Sequence, residues 1–303
     1  MHSRKKEYYA TLDVGGTLIK AALLNSEYEV IANSYSITPI DSNGPSEKVI
    51  NTITSVLEEK FYKARALGEV RGIGLCFPEF SDYKKGIIAV MKDKFQNSAG
   101  INLRDEIIKK LGLSPNFLIV FEEDSIAFLK GEVHLGNADD FNRIIGLTLG
   151  TGLGSAFMDG GKIVRNAPGV PPNGELGYLP YKGGIIEDII SSKGITSVYK
   201  RYTGITEKDV RSIALRAKKG DINGIQTFVE FGQTAGHLLK PYVKDFNTEC
   251  IIIGGQIAKS FELFAVPLKK ELSSISSLKE ILQAESIDFS PFYGLLNLIN
   301  DIL

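Results

Sequence analysis

Apolar residues change their spacing along this chain, and each change marks an element. Residues 8–12 form a β-rich run, then come Asp13, Gly15, Gly16 and Thr17, then a second apolar run to Leu24. Strand, tight glycine turn and strand is the pattern of a hairpin. The plan returns over residues 147–159, with Gly150, Thr151, Gly152 and Gly154 in the turn. Two such hairpins suggest two related halves. Further strands are expected over 28–36, 70–77, 86–91, 117–121, 250–253 and 282–289. A helix is expected over 45–61, where apolar positions 49, 50, 53, 56, 57 and 61 keep the helical period and Pro45 suits the first turn. Another is expected over 102–111, with Asn102 as N-cap and Gly112 past its end. Residues 126–135, 207–218, 222–246 and 293–303 read as helices, and a helical region begins over 185–191. Pro241 is expected to kink or end its helix.

The chain has 303 residues, which suggests roughly two domains. Hydrophobic residues make up 43% and charged residues 23%, ordinary for a globular protein. The formal net charge is -1, so no global field recruits nucleic acid or an anionic membrane. The run Arg4-Lys5-Lys6 is expected to be a frayed tail. No apolar run reaches the ~18 residues of a membrane span, and the first residues lack the apolar stretch of a secretion signal. The only cysteines, Cys76 and Cys250, sit in apolar strand-like runs. They are expected to be buried thiols in a protein of the reducing cytoplasm.

The glycine turns carry the candidate chemistry. Adjacent glycines let the backbone take conformations closed to other residues and let a ligand approach it. Successive turn N–H groups can converge on a phosphate. Asp13, at a strand end, can hold Mg²⁺ beside phosphate oxygens. A plain hairpin with a Gly-Gly turn explains the first copy equally well. Glu122-Glu123-Asp124-Ser125 follows the 117–121 strand and opens a helix. The acids suit a helix cap and dipole; they also suit a general base at the mouth of a cleft. Residues 168–178 are too rich in glycine and proline for a regular element. Gly254-Gly255 between a strand and a helix suits close approach of a nucleotide.

Together these motifs resemble the ROK family of sugar kinases and related repressors. The resemblance runs through Asp13-Val-Gly-Gly-Thr17, Gly72-Ile-Gly74 with Pro78, the Asp124 segment ending in Gly131-Glu132, Leu149-Gly-Thr-Gly-Leu-Gly154, Gly174-Glu-Leu-Gly177, Glu187 with Ser192, and Ile253-Gly-Gly255. It implies an α/β fold of the actin and hexokinase type. Two ribonuclease H-like domains, each a five-stranded mixed sheet with flanking helices, would enclose a cleft. Residues 1–116 with 290–303 would form the N-terminal small domain and 117–289 the large one. The implied activity is ATP-dependent phosphorylation of a hexose or amino sugar. Asp13 would sit near Mg²⁺ and the β- and γ-phosphates. Gly15, Gly16 and Thr17 would form one phosphate loop, and Gly150, Thr151 and Gly152 the other. Gly254 and Gly255 would lie beside the adenosine, Asp124 would be the base, and Glu175 and Glu187 would hold sugar hydroxyls. The expected partners are a small-molecule sugar and a second copy in a homodimer, with no nucleic acid and no membrane. No DNA-binding helix-turn-helix precedes residue 8.

Three positions depart from the family pattern. Glu123 stands where the family has Asn, Leu18 where it has Lys, and Tyr178 where it often has His. Lys20, two residues beyond Leu18, would share its face of a strand. Glu123 and Tyr178 both fall where a sugar would be read. The family's zinc-binding cysteine cluster has no counterpart in Tyr181-Lys-Gly-Gly-Ile-Ile-Glu187, so no structural zinc is expected. The departures also support an alternative: a catalytically weak, regulatory sugar- or nucleotide-binding member.

Overall fold

The computed structural model describes residues 6–91 and 94–303. Arg4 and Lys5 of the basic run lie outside the described residues, while Lys6 opens the first strand. The chain divides into two units. One comprises Met1–Gly131 with Pro291–Leu303, the other Glu132–Ser290.

The first unit is built on β1 (Lys6–Val14), β2 (Leu18–Asn25), β3 (Ser36–Pro39), β4 (Gly68–Cys76) and a later strand, β7 (Leu118–Glu122). Their order across the sheet is β3-β2-β1-β4-β7. The β1–β2–β3 meander is antiparallel, whereas β4 and β7 run parallel to β1. β1 has neighbours on both edges, and its residues Tyr8 to Leu12 are all buried, as central strands of such sheets require. A short hairpin, β5 (Phe80–Asp82) with β6 (Ile87–Ile88), stands apart from the sheet. Helix α1 (Ser46–Arg65) buries Val49, Ile50, Ile53, Val56 and Leu57. α2 (Leu103–Leu111) starts as its sequence predicts: the Asn102 side chain accepts from the Asp105 N–H, and Gly112 ends the helix at φ 61°.

α3 (Asp124–Leu135) follows β7, and α8 (Ser290–Asn300) returns the chain to this unit. Gly72 and Gly74 now have a reason. Cβ atoms there would lie 3.4 Å from Ile299 and 2.7 Å from Leu295, so the glycines let α8 press on β4. Phe292, Leu295, Leu296 and Ile299 of α8 are all fully buried.

The second unit repeats the plan. β8 (Arg143–Leu149), β9 (Leu153–Asp159), β10 (Lys162–Ile163), β13 (Cys250–Gly254) and β14 (Glu280–Gln283) stand in the order β10-β9-β8-β13-β14. Again the hairpin strands are antiparallel and the two later strands are parallel to the first. A two-stranded hairpin, β11 (Pro180–Tyr181) with β12 (Gly184–Ile185), turns through Lys182 and Gly183, both at positive φ. α4 (Ser192–Thr203), α5 (Val210–Lys218), α6 (Ile222–Asp245) and α7 (Phe261–Leu272) cover the sheet. α6 and α7 pack closely because Gly232 and Gly236 expose backbone: a Cβ at Gly232 would lie 2.5 Å from the Phe264 carbonyl oxygen. Each unit has its own apolar core.

Several sequence expectations are corrected. The domain boundary expected after residue 116 falls after Gly131, because β7 pairs with β4 of the first sheet. Residues 28–36 are not a strand. Tyr28 and Asn33 are left-handed, at φ 63° and 59°, and the third strand begins only at Ser36. That segment is held instead by side chains. The buried Lys60 Nζ donates to Ser34 O and Ser36 Oγ, each at 2.7 Å. Within 86–91 only Ile87 and Ile88 pair. The last strand covers Glu280–Gln283, not 282–289, because the Glu285 and Ser286 N–H groups donate to the Glu132 carboxylate. α3 begins at Asp124 rather than 126. α6 continues through Pro241 to Asp245, with Leu238, Leu239 and Val243 buried on both sides of it.

Candidate active site

In the first unit, strand register sets Lys20, Asp13, Cys76 and Glu122 in one row across β2, β1, β4 and β7. The row lies at the carboxyl ends of three parallel strands, where open α/β sheets bind ligands. Asp13 is partly buried. Desolvation, and then the negative charge of Asp124, push its carboxyl up to about 6, against a pull downward from Lys20. Cys76 is fully buried, and burial followed by the charges of Asp13, Asp124 and Glu122 raises its thiol far out of the nucleophilic range. It packs as a small apolar group against Ala127 and Leu295. Leu18 is 43% exposed, and Lys20 takes up the same face of β2 opposite Asp13.

The first glycine turn is a simple hairpin turn, in which the Gly15 N–H donates to Leu18 O at 2.9 Å. Gly16 O and Thr17 O accept from Ser42 N and Ile40 N. Neither glycine has positive φ, so left-handed backbone is not their purpose. What they provide is a bare backbone beside the exposed Thr17. The acids at the end of β7 and just after it serve the helix start. Glu122 Oε1 accepts from the Glu123 N–H at 3.1 Å, and Asp124 Oδ1 from the Ser125 N–H at 2.8 Å. Glu123 O takes the first helical bond, from Ala127 N. Capping does not exclude chemistry: the Asp124 side chain is exposed, is oriented by the helix N-terminus, and acts electrostatically on Asp13.

The raised Asp13 carboxyl has a measurable consequence. Its folded value of about 6 exceeds the unfolded 3.8, so between those values the folded chain binds the extra proton. Stability therefore falls as pH rises through this window. In metal-free protein, Asp13→Asn is expected to melt ~4–8 °C above wild type at pH 8, allowing for partial exposure, and to match it at pH 4. Thermal melts across this range check it; a difference independent of pH would remove the electrostatic cause.

In the second unit, the turn after β8 is clamped at both ends. Gly150 N donates to Gly152 O at 3.0 Å. Gly150 O accepts from the N–H and the Oγ of Ser192, at 2.9 and 2.8 Å, at the start of α4. Glu187 Oε2 accepts from the Leu153 N–H at 2.8 Å. Among the described residues, the Thr151 and Gly152 N–H groups have no protein partner. A Cβ on Gly150 would meet nothing within 4 Å, whereas one on Gly152 would lie 2.5 Å from Glu187 Oε2. Gly254 ends β13 opposite Thr148. Gly255 has φ 80°, and a Cβ there would collide with the backbone of Leu149, the residue before the loop.

Glu175 and Tyr178 sit on the turn after the Pro172–Gly174 helical turn. The buried Ser155 hydroxyl pins this turn to β9, donating to Gly174 O at 2.6 Å and accepting from Leu176 N at 2.9 Å. Tyr178 is 63% exposed. Among the described residues no group of three or more His, Cys, Asp or Glu could hold a metal. Mg²⁺ asks for less, namely one or two carboxylates completed by phosphate oxygens, and the Asp13–Asp124 neighbourhood fits that donor chemistry.

The ROK family model matches residues 9–301. The chain belongs to the ROK family. Among its relatives are a glucokinase of Thermotoga maritima, 23% identical over 96% of each chain, and an N-acetyl-D-glucosamine kinase of Haemophilus influenzae, 24% identical over 87% of this chain and 88% of the relative. A ROK glucokinase of Streptomyces griseus, solved with glucose and AMPPNP, shares the fold. Its TM-score is 0.78, and at 20% identity it covers 97% of this chain and 99% of the other. The ROK motifs marked Asp13, Asp124 and both loops. They did not mark Ser155, nor the clamping role of Ser192, although a serine opening an amphipathic run at 192 signals a helix start.

Proposed function

We propose that the chain transfers the γ-phosphoryl group of ATP to a hydroxyl of a hexose or amino sugar. The observation that carries this reading is the placement of Asp13 near the carboxyl end of β1 and Asp124 just after β7, two strands of one sheet, with Asp124 exposed and accepting from the Ser125 N–H. The glucokinase and N-acetylglucosamine kinase relatives support the substrate class. In the proposed step the acceptor oxygen bonds to phosphorus, the bond to ADP breaks, and the hydroxyl proton passes to the Asp124 carboxylate. Phosphoryl transfer depends mainly on positioning and charge neutralisation. The bare backbone at Gly15–Gly16 and the Thr151 and Gly152 N–H groups would cradle phosphates. Gly254 and Gly255 would stand beside the adenosine. Mg²⁺ when bound would neutralise phosphate charge, with Asp13 as its protein ligand. Glu123, Glu175, Tyr178 and Glu187 would meet the sugar. Tyr181-Lys-Gly-Gly-Ile-Ile-Glu187 has no cysteine, so structural zinc has no place in the proposal.

An ADP-release screen tests this with glucose, mannose, N-acetylglucosamine and N-acetylmannosamine. At least one sugar is expected to raise release ~10²-fold or more over the sugar-free rate, the lower end of what a positioned base contributes. Nucleotide binding with no sugar-stimulated release would favour a non-catalytic binding role.

A further inference from the structure

Glu187 does more in this fold than face a sugar. Its carboxylate occupies the space directly behind the second glycine turn. Oε2 accepts from the Leu153 N–H at 2.8 Å and would lie 2.5 Å from a Cβ on Gly152. Glycine at 152 is therefore explained by the carboxylate on the protein side, whereas Gly150, which faces open space, needs no such neighbour. The backbone of Glu187 is engaged in the opposite direction. Its N–H donates to Gly177 O at 3.0 Å, between Leu176 and Tyr178. Gly177 in turn packs on the same strand start, because a Cβ there would lie 2.7 Å from Leu153 O. One residue thus ties the turn carrying Glu175 and Tyr178 to the exit of the turn 150–152. Ser192 holds the entry of that turn through Gly150 O, so Glu187 fixes the end left over.

We propose that Glu187 is a positioning residue: its carboxylate braces the turn 150–152 and couples it to the turn 175–178, so that an acceptor held at one and a nucleotide held at the other bind cooperatively. This rests on the reading of 150–152 as a nucleotide loop and adds a role to Glu187 distinct from touching a sugar. A shift of the 175–178 turn reaches the loop through a backbone hydrogen bond, the Glu187 side chain and a second hydrogen bond.

The test combines two measurements on Glu187→Ala and Glu187→Gln in the full chain. The first is hydrogen exchange at the Leu153 amide without ligands. Glu187→Ala is expected to speed it ~10-fold, the scale of losing one hydrogen bond to a charged acceptor. Glu187→Gln, whose amide oxygen still accepts, is expected to stay within ~3-fold of wild type. The second is ADP affinity with Mg²⁺, with and without glucose or N-acetylglucosamine. Glu187→Ala is expected to bind ADP ~10-fold more weakly with no sugar present and to lose the enhancement by sugar, while Glu187→Gln retains both. Unchanged Leu153 exchange, or unchanged sugar-free ADP affinity with only sugar binding lost, would overturn the brace. If Glu187→Ala does not fold, Gly152→Ala displaces the same carboxylate from the other side and is expected to give the same pair of changes. Wild-type protein that binds no ADP would sink the kinase reading instead, and the exchange result would still decide whether the brace exists.

Discussion

Asp124→Asn is expected to lower sugar-dependent ADP release by ~10²-fold or more while ADP affinity stays within ~3-fold of wild type. The amide keeps the shape and the oxygen that accepts from the Ser125 N–H, so α3 starts as before. What it loses is the capacity to take the acceptor proton. It also removes a negative charge beside Asp13, so the Asp13 carboxyl should fall from its raised value toward the ordinary range. Glu123→Gln is the control. Its backbone O still receives the Ala127 N–H, and the expected change lies in apparent sugar affinity rather than turnover. Should Glu123 prove essential and Asp124 dispensable, the two neighbours exchange roles. Should neither matter for any sugar that releases ADP, this end of β7 is not the reactive site.

The largest structural effect is expected at Gly255. Alanine there meets two penalties. The residue sits at φ 80°, a region costly for any side chain, and a Cβ would overlap the Leu149 carbonyl oxygen and lie 2.7 Å from Leu149 N. Since β8 is central in its sheet, Leu149 cannot move without disturbing the strand beside it. A loss of ~3 kcal/mol or more follows, or a fall of ~6–12 °C in Tm. Gly183→Ala isolates the first penalty, because Gly183 has φ 82° with nothing within 4 Å of its Cβ direction. That variant should cost only about 1 kcal/mol. Equal melting of the two variants would show that the overlap at Leu149 is relieved cheaply.

What could be read from the sequence was local. The hairpins at β1–β2 and β8–β9 announce themselves through short apolar runs punctuated by glycine. Asn102 and Gly112 likewise mark both ends of α2 by their own chemistry. What escaped depends on partners far along the chain. Residues 28–36 have a strand-like composition, yet Lys60 and Asn25 satisfy their backbone in other conformations. The Glu285 and Ser286 N–H groups are claimed by Glu132 before a strand can use them. The placement of β7 depends on its pairing with β4, which no local pattern announces. The same holds at the site. Each carboxylate was visible, but the row Lys20–Asp13–Cys76–Glu122 exists only once four strands are in register.

The first unit is made of two pieces of chain, and its second piece arrives after the whole of the other unit. Until α8 has been synthesised, Gly72 and Gly74 on β4 have no cover, and Cys76 and Ala127 lack Leu295. The segment 132–290 is unbroken, so its core needs no piece of chain from outside it. The half bearing Asp13 and Asp124 must wait, with an apolar sheet face open to water and to chaperones. The earlier part of the chain is thus completed by the later part: the first unit is sealed only by a segment that follows the second.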